Sequence, residues 1–385
     1  IKTLPQRLGS SSAAVFGIAG VVAVMVAVLS IAQGILRTME NSSAEGNVIV
    51  LRSGANSEMM SGLSGEMADI IAEAPGLARS DSGVLASPEL FVVINLPMSS
   101  TGTDANVPMR GVTQPAFEVR ESINIVEGRM FEWGLNEVIV GTGALRSFAG
   151  LEVGSTIEVA REQWPVVGVF EAGGGLAETE IWMDAAVLQP AYRRGNSYHA
   201  VYGTLSSVDA FPAFKDQLTS DPRLNVKPML EEEYYSTQSA TVTRLINGLG
   251  SLIAVIMGLG AIFGALNTMY TAVASRTREI ATLRALGFRS GPVVISVLAE
   301  SLLLAFIGGL VGAGLAWLFF DGYQAATLNW ESFSQIAFSF DVTAALLVTG
   351  IMFAMFIGLL GGLPVSYTHL TLPTITSGCR ARGAP

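Results

Sequence analysis

The stretch Val293-Val-Ile-Ser-Val-Leu-Ala-Glu-Ser-Leu-Leu-Leu-Ala-Phe-Ile-Gly-Gly-Leu-Val-Gly-Ala-Gly-Leu-Ala-Trp-Leu-Phe-Phe320 decides the fold class. A helix needs about 20 predominantly apolar residues to cross hydrocarbon. This run meets that need with a single ionisable side chain, Glu300. Three further runs qualify: roughly Ala13 to Leu36, Leu245 to Ala274 and Val342 to Leu363. Between the first and second runs lies a soluble-looking insert of roughly 200 residues, the size of one or two domains. The chain therefore reads as a membrane protein with four transmembrane α-helices in a 1+3 layout. A large extracytoplasmic α+β domain lies between the first and second. The boundaries read as 1–37 for the N-terminus and first span, 38–243 for the insert and 244–364 for the three clustered spans.

Composition agrees. Hydrophobic residues make up 50% and charged residues 14% of the 385, a balance that fits neither a disordered nor a fibrous chain. A formal net charge of −10 argues against nucleic acid as a partner, which calls for a basic face. The single cysteine, Cys379, lies outside the insert, so the insert has no disulfide framework and depends on an ordinary core. The first apolar run exceeds the 7–15 residues of a signal-peptide core and lacks a small-x-small cleavage site, so it reads as an uncleaved anchor.

Sidedness follows from the basic residues beside the spans. Lys2 and Arg7 precede the first span, and Arg276, Arg278, Arg284 and Arg289 fill the loop between the second and third. The loop between the third and fourth carries Asp321, Glu331 and Asp341 and no Lys or Arg. Both termini and the arginine loop are expected in the cytoplasm, and the insert outside.

Within the insert, Asn47–Arg52, Phe91–Leu96, Glu137–Val140, Thr156–Ala160, Pro165–Phe170 and His199–Leu205 have strand composition. Ser57–Ala74 is expected to be a helix ended by Pro75-Gly76. Val208–Ser220 reads as an amphipathic helix with Phe211, Phe214 and Leu218 on one side. Ser99–Asp104 reads as an exposed loop. Catalytic patterns do not emerge. His199 is the insert's only histidine, too few for a zinc site, and no GxSxG turn is present. Gly173-Gly174-Gly175 has no following lysine and reads as a loop, not a phosphate cradle. No cofactor and no metal site is expected in this chain.

The arginine loop reads Ala274-Ser-Arg-Thr-Arg-Glu-Ile-Ala-Thr-Leu-Arg-Ala-Leu-Gly-Phe288. As a helix over 275–288, it gathers Ile280, Leu283, Ala285 and Leu286 into one apolar face. Arg276, Arg278, Glu279 and Arg284 project mainly elsewhere, and Gly287 suits the position that ends a helix. One reading is a juxtamembrane anchor whose arginines bind lipid phosphates. The other is a docking helix seated in a groove of a cytoplasmic partner.

SRTREIATLRALGF resembles the cytoplasmic coupling segment of MacB/FtsX-type ABC transporter permeases. EGRMF, EVIVG, VVGVFEAGGG and EIWMD resemble, in that order, the extracytoplasmic core domain of the same family, and the 1+3 layout is also that family's. The resemblance runs to about Pro364. It implies a paired permease, homodimeric or otherwise, in the bacterial inner membrane. Each subunit would dock a cytoplasmic ABC ATPase through Arg276, Arg278, Glu279, Ile280, Leu283, Arg284, Leu286 and Gly287. ATP and Mg would bind on that partner, and a periplasmic adaptor could join. ATP turnover would move the outside domains by mechanotransmission, for efflux, lipoprotein release or control of division. A membrane-anchored receptor or scaffold is the reading from another class. The chain's lysines are Lys2, Lys215 and Lys227, and none follows a glycine. A Walker A loop is therefore missing from this sequence, and the chain itself reads as non-catalytic.

Inside the membrane, Gly260/Gly264, Gly308/Gly312 and Gly358/Gly362 form small-xxx-small pairs that let backbones approach closely. They are expected to pack helices within one subunit, with a dimer seam as the alternative. Glu300, roughly 10 Å inside the third span by helical rise, is expected to face protein or water, with a proton pathway as the lesser alternative. There it would pair with an arginine or with polar groups such as Asn267. From Val365 to Pro385 the tail departs from the resemblance, does not read as a helix and suggests a sequencing or assembly artefact. No function is placed on His369 or Cys379.

Overall fold

The computed structural model describes residues 8–160, 162–274, 282, 291–328 and 335–371. Among them, four helices are long and apolar enough to cross a membrane: α1 (Leu8–Glu40), α7 (Glu231–Ala274), α8 (Gly291–Phe320) and α9 (Ala344–Thr371). The expected spans fall on these helices, with two differences at the last. Thr343 Oγ1 accepts the Leu346 amide at 3.3 Å and caps α9, so Val342 lies outside it. At the other end α9 runs to Thr371. The tail from Val365 therefore begins as helix, contrary to the sequence expectation. Once a helix is nucleated, each added residue gains a backbone hydrogen bond.

The described residues divide into two compact units, one falling within Ile1–Ile31, Ile246–Asp321 and Val342–Pro385 and the other within Ala32–Leu245 and Gly322–Asp341. In the first, glycines set the helix contacts. A Cβ on Gly308 would meet the Val15 carbonyl at 3.0 Å and Ile18 at 3.1 Å, so α8 lies close on α1 there. One on Gly358 would meet Ala305 at 2.5 Å, and Ser301 Oγ donates to the Gly358 carbonyl at 2.6 Å, joining α8 to α9. Gly312 and Gly362 are crowded by the same neighbours, α1 and Ser301 respectively. Two of the three expected glycine pairs therefore pack within the subunit. Around Gly260 and Gly264 no described residue stands within 4 Å of an added Cβ.

The second unit is built on a ten-stranded sheet. Its elements, in chain order, are β1 (Asn47–Arg52), a 3-10 turn (Glu58–Met60), β2 (Leu63–Ser64), α2 (Gly65–Ala72), β3 (Arg79–Ser80), β4 (Gly83–Val84), β5 (Ala86–Pro97), β6 (Asp104–Val112), α3 (Ala116–Val119), β7 (Asn124–Gly128), β8 (Val138–Gly141), α4 (Thr142–Ser147), β9 (Thr156–Val159), β10 (Glu162–Glu171), a 3-10 turn (Leu176–Thr179), β11 (Ile181–Asp184), α5 (Ala185–Ala191), β12 (Ser197–Tyr198), β13 (Ala200–Thr204), α6 (Phe211–Ser220), β14 (Val226–Leu230), β15 (Gln324–Leu328) and β16 (Gln335–Ser339). The sheet order is β14-β1-β13-β5-β6-β11-β8-β10-β7, with β9 on β10. Among the described residues only β6–β11 and β8–β10 pair in parallel.

Period-2 alternation sorts the side chains. Val138 and Val140 of β8, with Ile181 and Met183 of β11, enter one core. Ile139 and Trp182 enter another, with Phe131 and Phe170. A third core gathers Val48 and Val50 under Phe214 and Leu218. The α+β expectation holds, and β1 spans the expected residues.

The expected helix over Ser57–Ala74 is shorter. Ser197 and Tyr198 pair with Ser64 and Leu63, holding that dipeptide extended. Helix starts only where Ser64 Oγ accepts the Met67 amide at 3.3 Å. Val208–Ser220 likewise opens as a 3-10 turn, Val208–Ala210, before α6. The loop after the third span, expected only to be acidic, forms the β15–β16 hairpin. Arg37 meets Asp341 beside it at 3.1 Å.

These contacts predict unequal effects of glycine replacement. Gly358→Leu should drive α8 and α9 apart, and detergent-purified protein should aggregate on mild heating. Gly260→Leu should elute and survive heating like the parent chain. Size-exclusion profiles after a temperature series check both outcomes.

Candidate functional site

One face of the sheet carries charge where an apolar core would be expected. Ser87, Glu89 and Phe91 alternate onto one face of β5. Cross-strand pairing of Phe91 with Arg110, Arg110 with Trp182 and Tyr202 with Ser87 places all six side chains together. The 3-10 turn brings Glu58 over them, the residue after α3 brings Arg120, and the first turns of α7 bring Glu231, Tyr234 and Tyr235. All but Arg120 are under a tenth exposed.

Arg110 is the hub. Its Nε and Nη2 donate to Glu180, both at 2.7 Å. Nη1 donates to Glu58 at 2.6 Å and Glu89 at 2.9 Å, and Nη2 to Glu58 at 3.1 Å. Those bonds use every N–H of the guanidinium. Arg120 grips Glu89 with two bonds, 2.6 and 3.0 Å, and stacks 4.1 Å from the Tyr202 ring centre. Trp182 Nε1 donates to Glu180 at 2.6 Å. Burial alone would raise the Glu58 carboxyl, but the charge and hydrogen bonds of Arg110 outweigh it and hold Glu58 below the usual range. His199, at the margin, accepts the Phe91 amide on Nδ1 at 2.9 Å, and burial lowers its affinity for a proton.

A cavity of about 270 Å³ opens beside this cluster, lined by Asn47, Arg120, Glu180, Trp182 and Tyr235 among others. Its lining includes Ala172 and Gly175, at the two ends of the glycine loop. There Asn41 Nδ2 donates to the Gly173 carbonyl at 2.9 Å, and Glu178 Oε1 accepts the Ala172 and Gly174 amides at 2.9 and 2.7 Å. The glycine run is thus a loop with defined partners.

The residues singled out in the sequence lie elsewhere. Arg276, Arg278, Glu279, Ile280, Leu283, Arg284, Leu286 and Gly287 fall outside the described residues. Glu300 is half-buried on α8, Asn267 is exposed on α7, and neither lacks a partner. Sequence reasoning missed the ionic cluster because its members are far apart along the chain. The signal was there in Glu89 and Arg110, charged residues inside runs that otherwise alternate apolar.

A family model described as the MacB-like periplasmic core domain matches residues 11–221, and one described as the FtsX-like permease C-terminal domain matches 251–373. The chain belongs to the MacB/FtsX-type ABC transporter permeases. It is a multi-pass membrane protein with a large extracytoplasmic α+β domain, and most of the second unit falls within the periplasmic core match. The C-terminal match passes Pro364, where the sequence resemblance had been ended. The macrolide export ATP-binding/permease protein MacB of Bdellovibrio bacteriovorus is 23% identical over 92% of this chain and 58% of its own length. An uncharacterised ABC transporter permease, YknZ of Bacillus subtilis, is 32% identical over 32% of this chain and 28% of its own. The chain spans about half the length of such MacB relatives. The periplasmic region of MacB from Actinobacillus actinomycetemcomitans aligns with a TM-score of 0.38 at 14% identity, covering 53% of this chain and 96% of that one.

Arg110→Met should unbalance three buried carboxylates. Removing one partner from a buried ion pair costs about 3–5 kcal/mol, so denaturant unfolding of the domain, followed by fluorescence of Trp164 and Trp182, should shift to markedly lower midpoint. The depressed Glu58 carboxyl adds stability that is present above its ordinary value of 4.5 and lost as pH falls below it. The parent domain should therefore weaken on acidification.

Proposed function

We propose that this chain is the membrane subunit through which a cytoplasmic ABC ATPase on a partner polypeptide moves the extracytoplasmic domain. The segment 275–288 carries the reading. It is amphipathic, bears Arg276, Arg278 and Arg284, and lies within the FtsX-like match between two apolar spans. A segment held between two spans transmits a push from whatever grips it. ATP and Mg bind on that ATPase. Arg278, Glu279 and the apolar set Ile280, Leu283 and Leu286 form the grip.

The extracytoplasmic domain receives the motion along α1 and α7, each a single helix that continues beyond its apolar run. Two such subunits work as a pair in the bacterial inner membrane, surrounded by lipid and joined outside by a periplasmic adaptor. The export named in the MacB relative supports efflux of small organic compounds over lipoprotein release or division control. Coupling is mechanical, so no substrate channel through the four helices is needed.

Tagged full-length chain, purified in mild detergent from its native membrane, should bring down an ABC ATPase. Arg278→Glu should reduce the recovered ATPase about tenfold, the effect of about 1.4 kcal/mol at the contact, while leaving expression unchanged. Undiminished recovery with Arg278→Glu, or recovery of no ATPase by the parent chain, would sink the proposal.

A further inference from the structure

The head of α7 is where buried charge is left unbalanced. Glu231 has no exposed surface and lies in the extracytoplasmic unit, ahead of the apolar run that begins at Leu245. Its Oε2 accepts the Ala44 amide at 3.4 Å, and its Oε1 has no hydrogen-bond partner among the described residues. Every element around it contributes a group. Arg120 approaches from the end of α3, but its guanidinium donates to Glu89 of β5. Asn47 of β1 donates to the Val119 carbonyl at 3.0 Å and accepts Thr204 Oγ1 at 2.8 Å. Tyr235 lies one turn further along α7, also buried. In the next ring Arg110 is spent on Glu58, Glu89 and Glu180. Two arginines thus already face three carboxylates, and an ionised Glu231 would add a fourth on a side chain with no exposed surface.

We propose that Glu231 is a proton-operated latch: protonated, it keeps the first turns of α7 docked on the sheet; ionised, it frees them. Burial pushes its carboxyl up to about 7 and Glu89 adds to the rise, against the opposing effect of Arg120, Asn47 and the Ala44 amide. In the freed state the carboxyl returns toward 4.5. The docked form holds more protons between those two values. Docking therefore weakens as pH rises through that window and levels off above it. Glu58 and His199 act in the opposite sense, since the depressed carboxyl and the buried neutral imidazole each lose stability on acidification. The latch does not rest on the ATPase-coupling proposal, because it concerns only how α7 begins.

Hydrogen exchange of the full-length chain in detergent, read on backbone amides of 231–240 and corrected for intrinsic rates, tests it. Protection should fall about tenfold per pH unit from about 5 to about 7 and then flatten. Glu231→Gln, a mimic of the protonated side chain, should abolish that slope, and the exposed neighbour change Glu232→Gln should keep it. A parent chain whose protection is level or rising over the window overturns the latch, as does a Glu231→Gln protein that retains the slope. If Glu231→Gln does not fold, the parent profile alone decides.

Discussion

Hydrocarbon offers backbone amides and carbonyls no partner, and that constraint arranges the whole molecule. Spanning segments must close their hydrogen bonds internally, so they are helices. With apolar side chains outside and lipid as solvent, close contact between helices depends on small residues. Gly308 against Val15, and Gly358 against Ala305 with the Ser301 hydroxyl between backbones, are where this chain meets that requirement. Specific chemistry is thereby displaced to the two places where water reaches: the insert after α1, and the short arginine-bearing loop between α7 and α8.

In the insert the ordering principle changes. Without disulfides, the sheet is held by three apolar cores and by one ionic cluster at the crossing of β5, β6, β11 and β13. Such clusters are costly to assemble and costlier to break, so they add definition more than stability. Here the definition concerns registry. Arg110 can satisfy Glu58, Glu89 and Glu180 together only when the 3-10 turn, β5 and the approach to β11 are all in place. The head of α7 packs on the same cluster, which joins the start of a membrane-bound helix to the best-specified part of the domain.

Much of this was legible in the sequence, for physical reasons. The spans were, because about 20 apolar residues have few other uses. β1 was, because Asn47-Val-Ile-Val-Leu-Arg52 is uniformly strand-like. β6 was not: Asp104-Ala-Asn-Val-Pro-Met-Arg-Gly-Val112 carries Pro108, a poor residue for an inner strand. The structure accommodates it because β11 pairs only from Met109 onward, leaving Pro108 on a local edge. The helix over Ser57–Ala74 was overextended because its apolar spacing continues through a 3-10 turn and a β-bridge that depends on distant Tyr198. The ionic cluster shows in the sequence only as Glu89 and Arg110, charges inside strand-like runs, because its ion pairs join residues up to 70 apart. The β15–β16 pairing is not legible because its acidic residues, Asp321, Glu331 and Asp341, stand outside both strands and say nothing of their pairing.

The account depends on sidedness: the arginine loop inside, the domain outside. In a background lacking Cys379, single cysteines at Thr282 and Thr101 can be challenged with a membrane-impermeant thiol reagent on intact cells and on inside-out vesicles. The account predicts that Thr101→Cys is labelled only from outside and Thr282→Cys only from the cytoplasmic face. Labelling of Thr282→Cys in intact cells would contradict it, since no cytoplasmic motor could then grip that loop.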